Sequence, residues 1–167
     1  MRQAAVLMPL VRMNGDWCLV FTRRTQTVQN HKGQVSFPGG AAEPQDYSLE
    51  NTALREAHEE IGLHPNQVRL LGRMAQMRTI TEYLITPVVG ITSWPFEMQL
   101  SLDEVERVFT IPLDWLADQR NREEKWIVLR NARQDRMVIY HPYDGEILWG
   151  ITARLTLNLL RLLGLTD

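Results

Sequence analysis

Three glutamates, Glu56, Glu59 and Glu60, recur at helical spacing within one short acidic stretch of the chain. On a helix of ~3.6 residues per turn, positions i, i+3 and i+4 share a face, with Cβ atoms ~5–6 Å apart. Three carboxylates so placed repel one another unless a cation offsets their charge or one of them keeps its proton. A hard cation such as Mg²⁺ suits all-oxygen ligands and leaves room for substrate phosphates. The spacing therefore predicts a cation site for phosphate chemistry; the alternative is a solvated acidic helix face.

The residues flanking these glutamates fit the same prediction. Arg55 has the wrong charge for a metal ligand, so we expect it to pair with a neighbouring carboxylate and orient it. Gly39 and Gly40 precede the acidic stretch and Gly62 ends it. Because glycine lets other groups approach its backbone closely, the carbonyl of Gly40 is a further oxygen ligand to expect.

Length, composition and charge limit the classes of protein to consider. A chain of 167 residues fits one domain over residues 1–167, and 44% hydrophobic with 23% charged residues is ordinary for a globular protein. The net charge of −2 argues against a broadly basic nucleic-acid surface. The single cysteine, Cys18, excludes an internal disulfide and suits a reducing cytoplasm. No apolar stretch reaches the ~18–20 residues of a membrane span.

Alternating apolar patterns predict a sheet flanked by two long helices. The helices are expected from Ser48, as N-cap, to about Ile61, and from Ile151 to Leu163. A polar, basic loop is expected from Arg23 to Gly33, followed by a sharp turn at Gly39-Gly40. Interleaved strands and helices predict an α/β (α+β) fold, a sandwich with helices on both faces of a mixed sheet. The predicted strands are Ala4–Val11, Trp17–Thr22 after an Asn14-Gly15 hairpin turn, Gln34–Phe37, Val68–Met77, Tyr83–Thr92, Val108–Ile111, Ile127–Leu129, Met137–Tyr140 and Glu146–Leu148.

The acidic stretch resembles the signature of the Nudix hydrolases, Gly-x5-Glu-x7-Arg-Glu-U-x-Glu-Glu-x-Gly-U, where U is apolar. Residues 55–63 match its second half in full. The first half departs from it, because Asp46 stands at the acidic position and one extra residue separates it from Arg55. No functional role is assigned to Asp46 on this basis. The resemblance implies a Nudix-type α/β/α sandwich.

A second resemblance covers the segment before the paired glycines. Residues 20–25 and 33–40 are similar to the upstream motif of the coenzyme A pyrophosphatase branch of that family, as are residues 79–90, 103–105 and 149–153. Where the branch motif has arginine four residues before a glycine, this chain has Gln29. Arg24 falls on another arginine of the motif.

The family resemblance implies Mg²⁺-dependent hydrolysis of a diphosphate linkage in a nucleoside diphosphate derivative, with Mn²⁺ as an alternative cation. We expect Arg24, Arg23 and Lys32 to bind substrate phosphates. Glu104 lies in an acidic loop and is either a general base or a solvated charge; otherwise a signature glutamate orients the attacking water. The expected metal ligands are Glu56, Glu59, Glu60 and Gly40, and the expected catalytic residues are Glu59, Arg55 and Glu104.

The leading functional hypothesis is cleavage of coenzyme A or its thioesters to 3′,5′-ADP and a 4′-phosphopantetheine moiety. A pyrophosphatase for ADP-ribose or dinucleotides is the alternative within the same chemistry. A non-catalytic nucleotide sensor and an RNA-end module are alternatives of another class. We expect a small nucleotide as partner, neither nucleic acid nor membrane, and a cytoplasmic location; the sequence leaves a homodimer open.

Overall fold

The computed structural model describes residues 1–27 and 33–167. Its longer helices begin and end within one or two residues of the predicted bounds. The helices are α1 Leu49–Ile61, α2 Leu113–Ala117 and α3 Gly150–Leu162. The strands are β1 Arg2–Met13, β2 Asp16–Arg24, β3 Val35–Ser36, β4 Gly39–Ala41, β5 Arg69–Arg73, β6 Met77–Arg78, β7 Tyr83–Ile91, β8 Val105–Pro112, β9 Arg122–Val128 and β10 Gln134–Tyr140.

Strands β1 to β8 form one mixed sheet, and β9 and β10 form a separate antiparallel pair. At the centre of the larger sheet, β1 runs parallel to β7 and antiparallel to β2. The predicted hairpin between β1 and β2 is confirmed: Met13 pairs with Asp16, and Asn14 and Gly15 both have positive φ, at 52° and 86°. A two-residue turn of this kind matches the twist of the strands it joins.

One edge of β1 is shared between two partners. Its C-terminal part, Leu10 to Met13, pairs with β2, whereas Ala4 to Val6 pairs with β4. Beyond Leu19, β2 diverges from β1 and pairs with β3 instead. The turn expected at Gly39-Gly40 is therefore wrong in part, because these glycines form a short strand that fills the gap between β1 and β2.

Helices cover both faces of the sheet, as the predicted sandwich requires. Side chains of β1 alternate between the faces: Ala5 and Leu7 pack against α1, and Met8 and Leu10 pack in the cluster that includes α3. In the part of the chain covered by the structure, none of the helices is long and apolar enough to cross a membrane.

Other predicted segments also differ from the structure: the single strand expected over Val68–Met77 is divided into β5 and β6. Arg23 and Arg24 belong to β2 rather than to the following loop, because both pair with residues of β8. Glu146–Leu148 is not a strand. The chain turns at Asp144-Gly145, where both residues have positive φ, and Glu146 makes only an isolated bridge to Tyr143.

Candidate active site

Helix α1 presents the acidic stretch and is fixed at both ends by capping. The Ser48 hydroxyl accepts a hydrogen bond from the Asn51 amide at 3.1 Å, which satisfies one free donor of the first turn. At the C-terminus Gly62 adopts φ 75°, and its amide donates to the His58 carbonyl at 3.0 Å. The acidic residues therefore lie in the middle and last turns of a well-defined helix.

The three clustered glutamates of α1, Glu56, Glu59 and Glu60, lie in unequal environments. Residue Glu60 is only 5% exposed, and the side chains of Glu56 and Glu59 are 16% and 56% exposed. Burial, followed by the charge of Glu56, raises the pKa of Glu60 to about 8. Burial also raises the pKa of Glu56. The site therefore confines like charges where water screens them poorly.

Strand β4 brings the paired glycines against these carboxylates. The amide of Gly39 donates to Glu60 Oε2 at 3.4 Å. A Cβ atom at Gly40 would lie only 2.6 Å from the carboxyl carbon of Glu56. Glycine at this position lets the Glu56 carboxylate pack directly on the backbone of β4.

Arg55 connects the acidic helix to the segment that precedes it. Its Nε and Nη2 atoms donate to the two carboxylate oxygens of Asp46 at 2.9 and 3.0 Å. Its Nη1 atom donates to Glu56 at 3.1 Å and to Glu59 at 3.3 Å. The Arg55 guanidinium therefore orients two of the predicted metal ligands. The sequence alone assigned no role to Asp46. The feature that could have indicated one is an acidic residue one position out of register with the family pattern.

Asp46 is itself held firmly. Its side chain is 6% exposed and also accepts from the Thr52 hydroxyl and the Glu43 amide, each at 2.9 Å. Hydrogen bonds from Arg55 are the largest cause that holds the pKa of Asp46 well below its usual range. The Asp46 carboxylate is thus a charged anchor for Arg55.

The segment before β8 packs on the end of α1 and carries Glu104. The amides of Gln99 and Ser101 donate to the carbonyls of Ile61 and Glu60, at 3.1 and 2.9 Å. The charge of Glu104 contributes to the raised pKa of both Glu56 and Glu60. A residue 44 positions along the chain from Glu60 thus joins the same electrostatic site.

The two expected substrate-binding residues in the described part of the chain, Arg23 and Arg24, do not lie together. Arg24 approaches the acidic helix, where its charge lowers the pKa of Glu60, and its Nε atom is buried without a hydrogen-bond partner in the described residues. Neighbouring side chains of a strand point to opposite faces. Arg23 instead pairs with Glu146 at 2.6 Å and Glu106 at 3.1 Å. Lys32 lies outside the described residues.

The donors at this site fit a divalent cation. Across residues 1–27 and 33–167, no group of three His, Cys, Asp or Glu side chains already converges as a complete metal cluster. Glu60 nevertheless has no ion pair to an arginine, lysine or histidine within that part of the chain, although it is buried beside another carboxylate. A divalent cation would relieve this repulsion and accept all-oxygen ligands.

The sequence matches a known protein family. The sequence model of the NUDIX domain matches residues 1–132. A NudL protein of Photorhabdus laumondii, described as an uncharacterized Nudix hydrolase, is 37% identical over 152 residues, which are 91% of this chain and 80% of that protein. The mouse peroxisomal coenzyme A diphosphatase NUDT7 is 36% identical over 156 residues, covering 90% of this chain and 66% of that protein.

Solved structures show the same fold. A Caenorhabditis elegans Ap4A hydrolase in a binary complex aligns with a TM-score of 0.58 at 17% identity, over 68% of this chain and 82% of that one. The Mycobacterium smegmatis Nudix hydrolase RenU aligns with a TM-score of 0.58 at 21% identity, over 70% of this chain and 74% of that one. The chain belongs to the Nudix family, and it is a Nudix hydrolase with the pyrophosphatase chemistry of that class.

Proposed function

We propose that this protein is a coenzyme A diphosphatase that depends on Mg²⁺, with Mn²⁺ as an alternative. It would hydrolyse coenzyme A or its thioesters to 3′,5′-ADP and 4′-phosphopantetheine or the acyl derivative. The observation that carries the hydrolytic part is the environment of buried Glu60, whose pKa responds to Glu56, Glu104 and Arg24 together. The charges of two further carboxylates and one guanidinium thus act on Glu60, and the Gly39 amide of β4 also contacts its carboxylate at 3.4 Å.

Glu56, Glu59 and Glu60 would hold the cation, with the Gly40 carbonyl as a further oxygen ligand. When bound, the cation would polarise phosphoryl oxygens and lower the pKa of the attacking water. Arg55 keeps two of the ligands oriented through its contacts with Glu56 and Glu59. This arrangement suits phosphoryl chemistry, which depends mainly on positioning and charge stabilisation.

Hydrolysis requires a carboxylate beside the attacking water to accept its proton. A new bond forms between the water oxygen and one phosphorus, and the bridging oxygen leaves with the other phosphate group. We propose that Glu104 is the general base that accepts the proton of the water. Its charge acts on both Glu56 and Glu60, and its side chain is exposed. A pH–rate profile of a Glu104→Gln variant that matches wild type would assign the base to Glu59 instead.

Arg24 is the proposed phosphate-binding residue. Its guanidinium lies near Glu60, and a buried Nε without a partner among the described residues is available to an incoming phosphate oxygen. Arg23 is not proposed for this role, because its guanidinium is committed to Glu106 and Glu146 on the other face of the sheet.

The choice of coenzyme A rests on sequence likeness. The branch motif over residues 20–40 and the likeness to the mouse coenzyme A diphosphatase over 90% of this chain both favour it. Gln29, which departs from the branch motif, lies outside the described residues, so the substrate choice is tested by experiment.

A product assay tests the proposal directly. The protein would be incubated with coenzyme A, acetyl-coenzyme A, ADP-ribose, NADH or diadenosine polyphosphate, with and without Mg²⁺, and the products identified by mass spectrometry. We expect 3′,5′-ADP from coenzyme A only when Mg²⁺ or Mn²⁺ is present. Preferential cleavage of ADP-ribose or a dinucleotide would overturn the substrate assignment. Nucleotide binding without cleavage would favour the sensor.

A further inference from the structure

We infer that Thr25 is a positioning residue that fixes Glu104 beside the acidic face of α1 and couples its placement to Arg24. The inference rests on the proposed function, because Glu104 is the general base proposed there. Thr25 follows Arg24 directly at the end of β2 and has no charge of its own.

Thr25 binds two consecutive carbonyls of the Glu104 segment. Its amide donates to the Glu104 carbonyl at 3.0 Å, and its hydroxyl donates to the Asp103 carbonyl at 2.9 Å. The residue is only 4% exposed, so water competes poorly for both bonds. A single buried residue therefore fixes the backbone of the segment that carries Glu104.

The opposite end of the same segment is anchored to α1. Ser101 donates its amide to the Glu60 carbonyl at 2.9 Å, and the Glu104 amide donates to the Ser101 carbonyl at 2.9 Å. The Glu104 carboxylate makes no side-chain hydrogen bond or ion pair within residues 1–27 and 33–167. Its place relative to Glu56 and Glu60 is thus set by these backbone anchors.

Thr25 also joins this segment to the proposed phosphate-binding arginine. The Arg24 amide donates to the Gln34 carbonyl at 2.9 Å, and the Thr25 carbonyl accepts from the Gly33 amide at 3.3 Å. Adjacent residues at the end of β2 thus carry the proposed phosphate-binding guanidinium and hold the segment of the proposed base. A shift at Thr25 would move Glu104, because the Thr25 amide and hydroxyl both donate to that segment; the hydroxyl also lies 3.1 Å from the Thr27 hydroxyl.

Thr25→Val tests the hydroxyl, since valine keeps the branched shape and leaves the Asp103 carbonyl without its donor. Thr25→Ser keeps the hydroxyl and is the conservative rescue. The matched control is Thr92→Val. Thr92 is also buried, at 7% exposure, but its hydroxyl has no hydrogen-bond partner in the described residues. All three variants would be compared with Glu104→Gln and with the double variant T25V/E104Q.

Two readouts separate positioning from simple loss of packing. With the diphosphate that the wild type cleaves, we expect T25V to lower kcat about tenfold and alter its pH profile, as E104Q does. In the E104Q background, T25V should change kcat by less than about twofold. In substrate-free protein, T25V and E104Q should each weaken Mn²⁺ binding about threefold, because a negative charge near the cation is moved or removed. T25S and T92V should stay near wild type in both readouts.

Three results would overturn the inference. The first is an equal loss of kcat from T25V with and without Glu104. The second is a T25S defect as large as that of T25V. The third is E104Q or T25V at wild-type Mn²⁺ affinity and wild-type kcat. A wild type that binds Mn²⁺ but cleaves no coenzyme A would overturn only the substrate proposal, and Mn²⁺ affinity would still decide the role of Thr25.

Discussion

Both carboxylate oxygens of Asp46 accept hydrogen bonds from Arg55. The family pattern instead has a glutamate at that point and one residue fewer before the arginine. The shorter acid and the extra residue thus still permit a two-point ion pair. Asp46→Asn should lower the free energy of unfolding by about 2 kcal/mol and lower kcat, because Arg55 then orients Glu56 and Glu59 less firmly. Chemical denaturation and steady-state kinetics would measure both. An unchanged kcat would mean that the pair serves stability alone.

The same ion pair predicts a pH dependence of stability. The pKa of Asp46 is held well below its unfolded value, near 3.8, chiefly by hydrogen bonds from Arg55. Its contribution to stability is therefore complete above about pH 4 and is lost as the pH falls toward the folded pKa. Urea unfolding would be measured between about pH 2.5 and 6 to cover that window. The free energy of unfolding should decrease more steeply with falling pH in wild type than in Asp46→Asn. Parallel curves would contradict the assignment.

Glu59 is the most exposed of the three predicted glutamate ligands and should be dispensable for folding. Glu59→Gln should lower kcat about a hundredfold or more while the melting temperature stays within about 3 °C of wild type. The reason is that its side chain is 56% exposed and its one ion pair within the described residues, to Arg55, is partly solvated. Kinetics and thermal unfolding on the same sample would test this. Full turnover would remove Glu59 from the site.

Glu60 should destabilise the cation-free protein and should be required for cation binding. In cation-free buffer, Glu60→Gln should raise the free energy of unfolding by about 1–3 kcal/mol, because it removes a buried carboxylate beside Glu56. It should also abolish the rise in melting temperature that Mg²⁺ gives the wild type. Glu50→Gln, on the same helix but paired with Arg73 at 3.0 Å, is the matched control and should keep the Mg²⁺ effect. A retained Mg²⁺ effect in Glu60→Gln would place the cation elsewhere.

The adjacent arginines of β2 should give opposite phenotypes. Arg24→Ala should raise KM about tenfold with little change in stability, because it removes a phosphate contact. Arg23→Ala should leave KM within about twofold and lower the free energy of unfolding by about 1–2 kcal/mol. That variant leaves buried Glu146 with Arg107, at 2.9 Å, as its remaining ion-pair partner among the described residues. Equal effects of the two substitutions on KM would contradict the assignment of Arg24 and Arg23 to different faces.

Much of the fold followed from local signals. Ser48 and Gly62 set the limits of α1, Asn14-Gly15 set the first hairpin, and the spacing of the glutamates placed them on one helix. These features depend on backbone preferences and side-chain hydrogen bonds within a few residues, so a single sequence contains the information. The wrong strand predictions had a different cause: Arg23 and Arg24 extend β2 because both pair with distant β8, and no local pattern records that.

The sequence by itself therefore determined that Glu56, Glu59 and Glu60 share one face of a helix, and that the chain is a Nudix hydrolase. Only the tertiary structure decided that Glu60 is the buried glutamate, because that depends on β4 entering the gap between β1 and β2. It also decided that Asp46 holds Arg55, and that Thr25 reaches Asp103 across 78 positions of sequence. Contacts of that kind arise when distant segments pack around one core, and neither composition nor spacing specifies which pairs will meet.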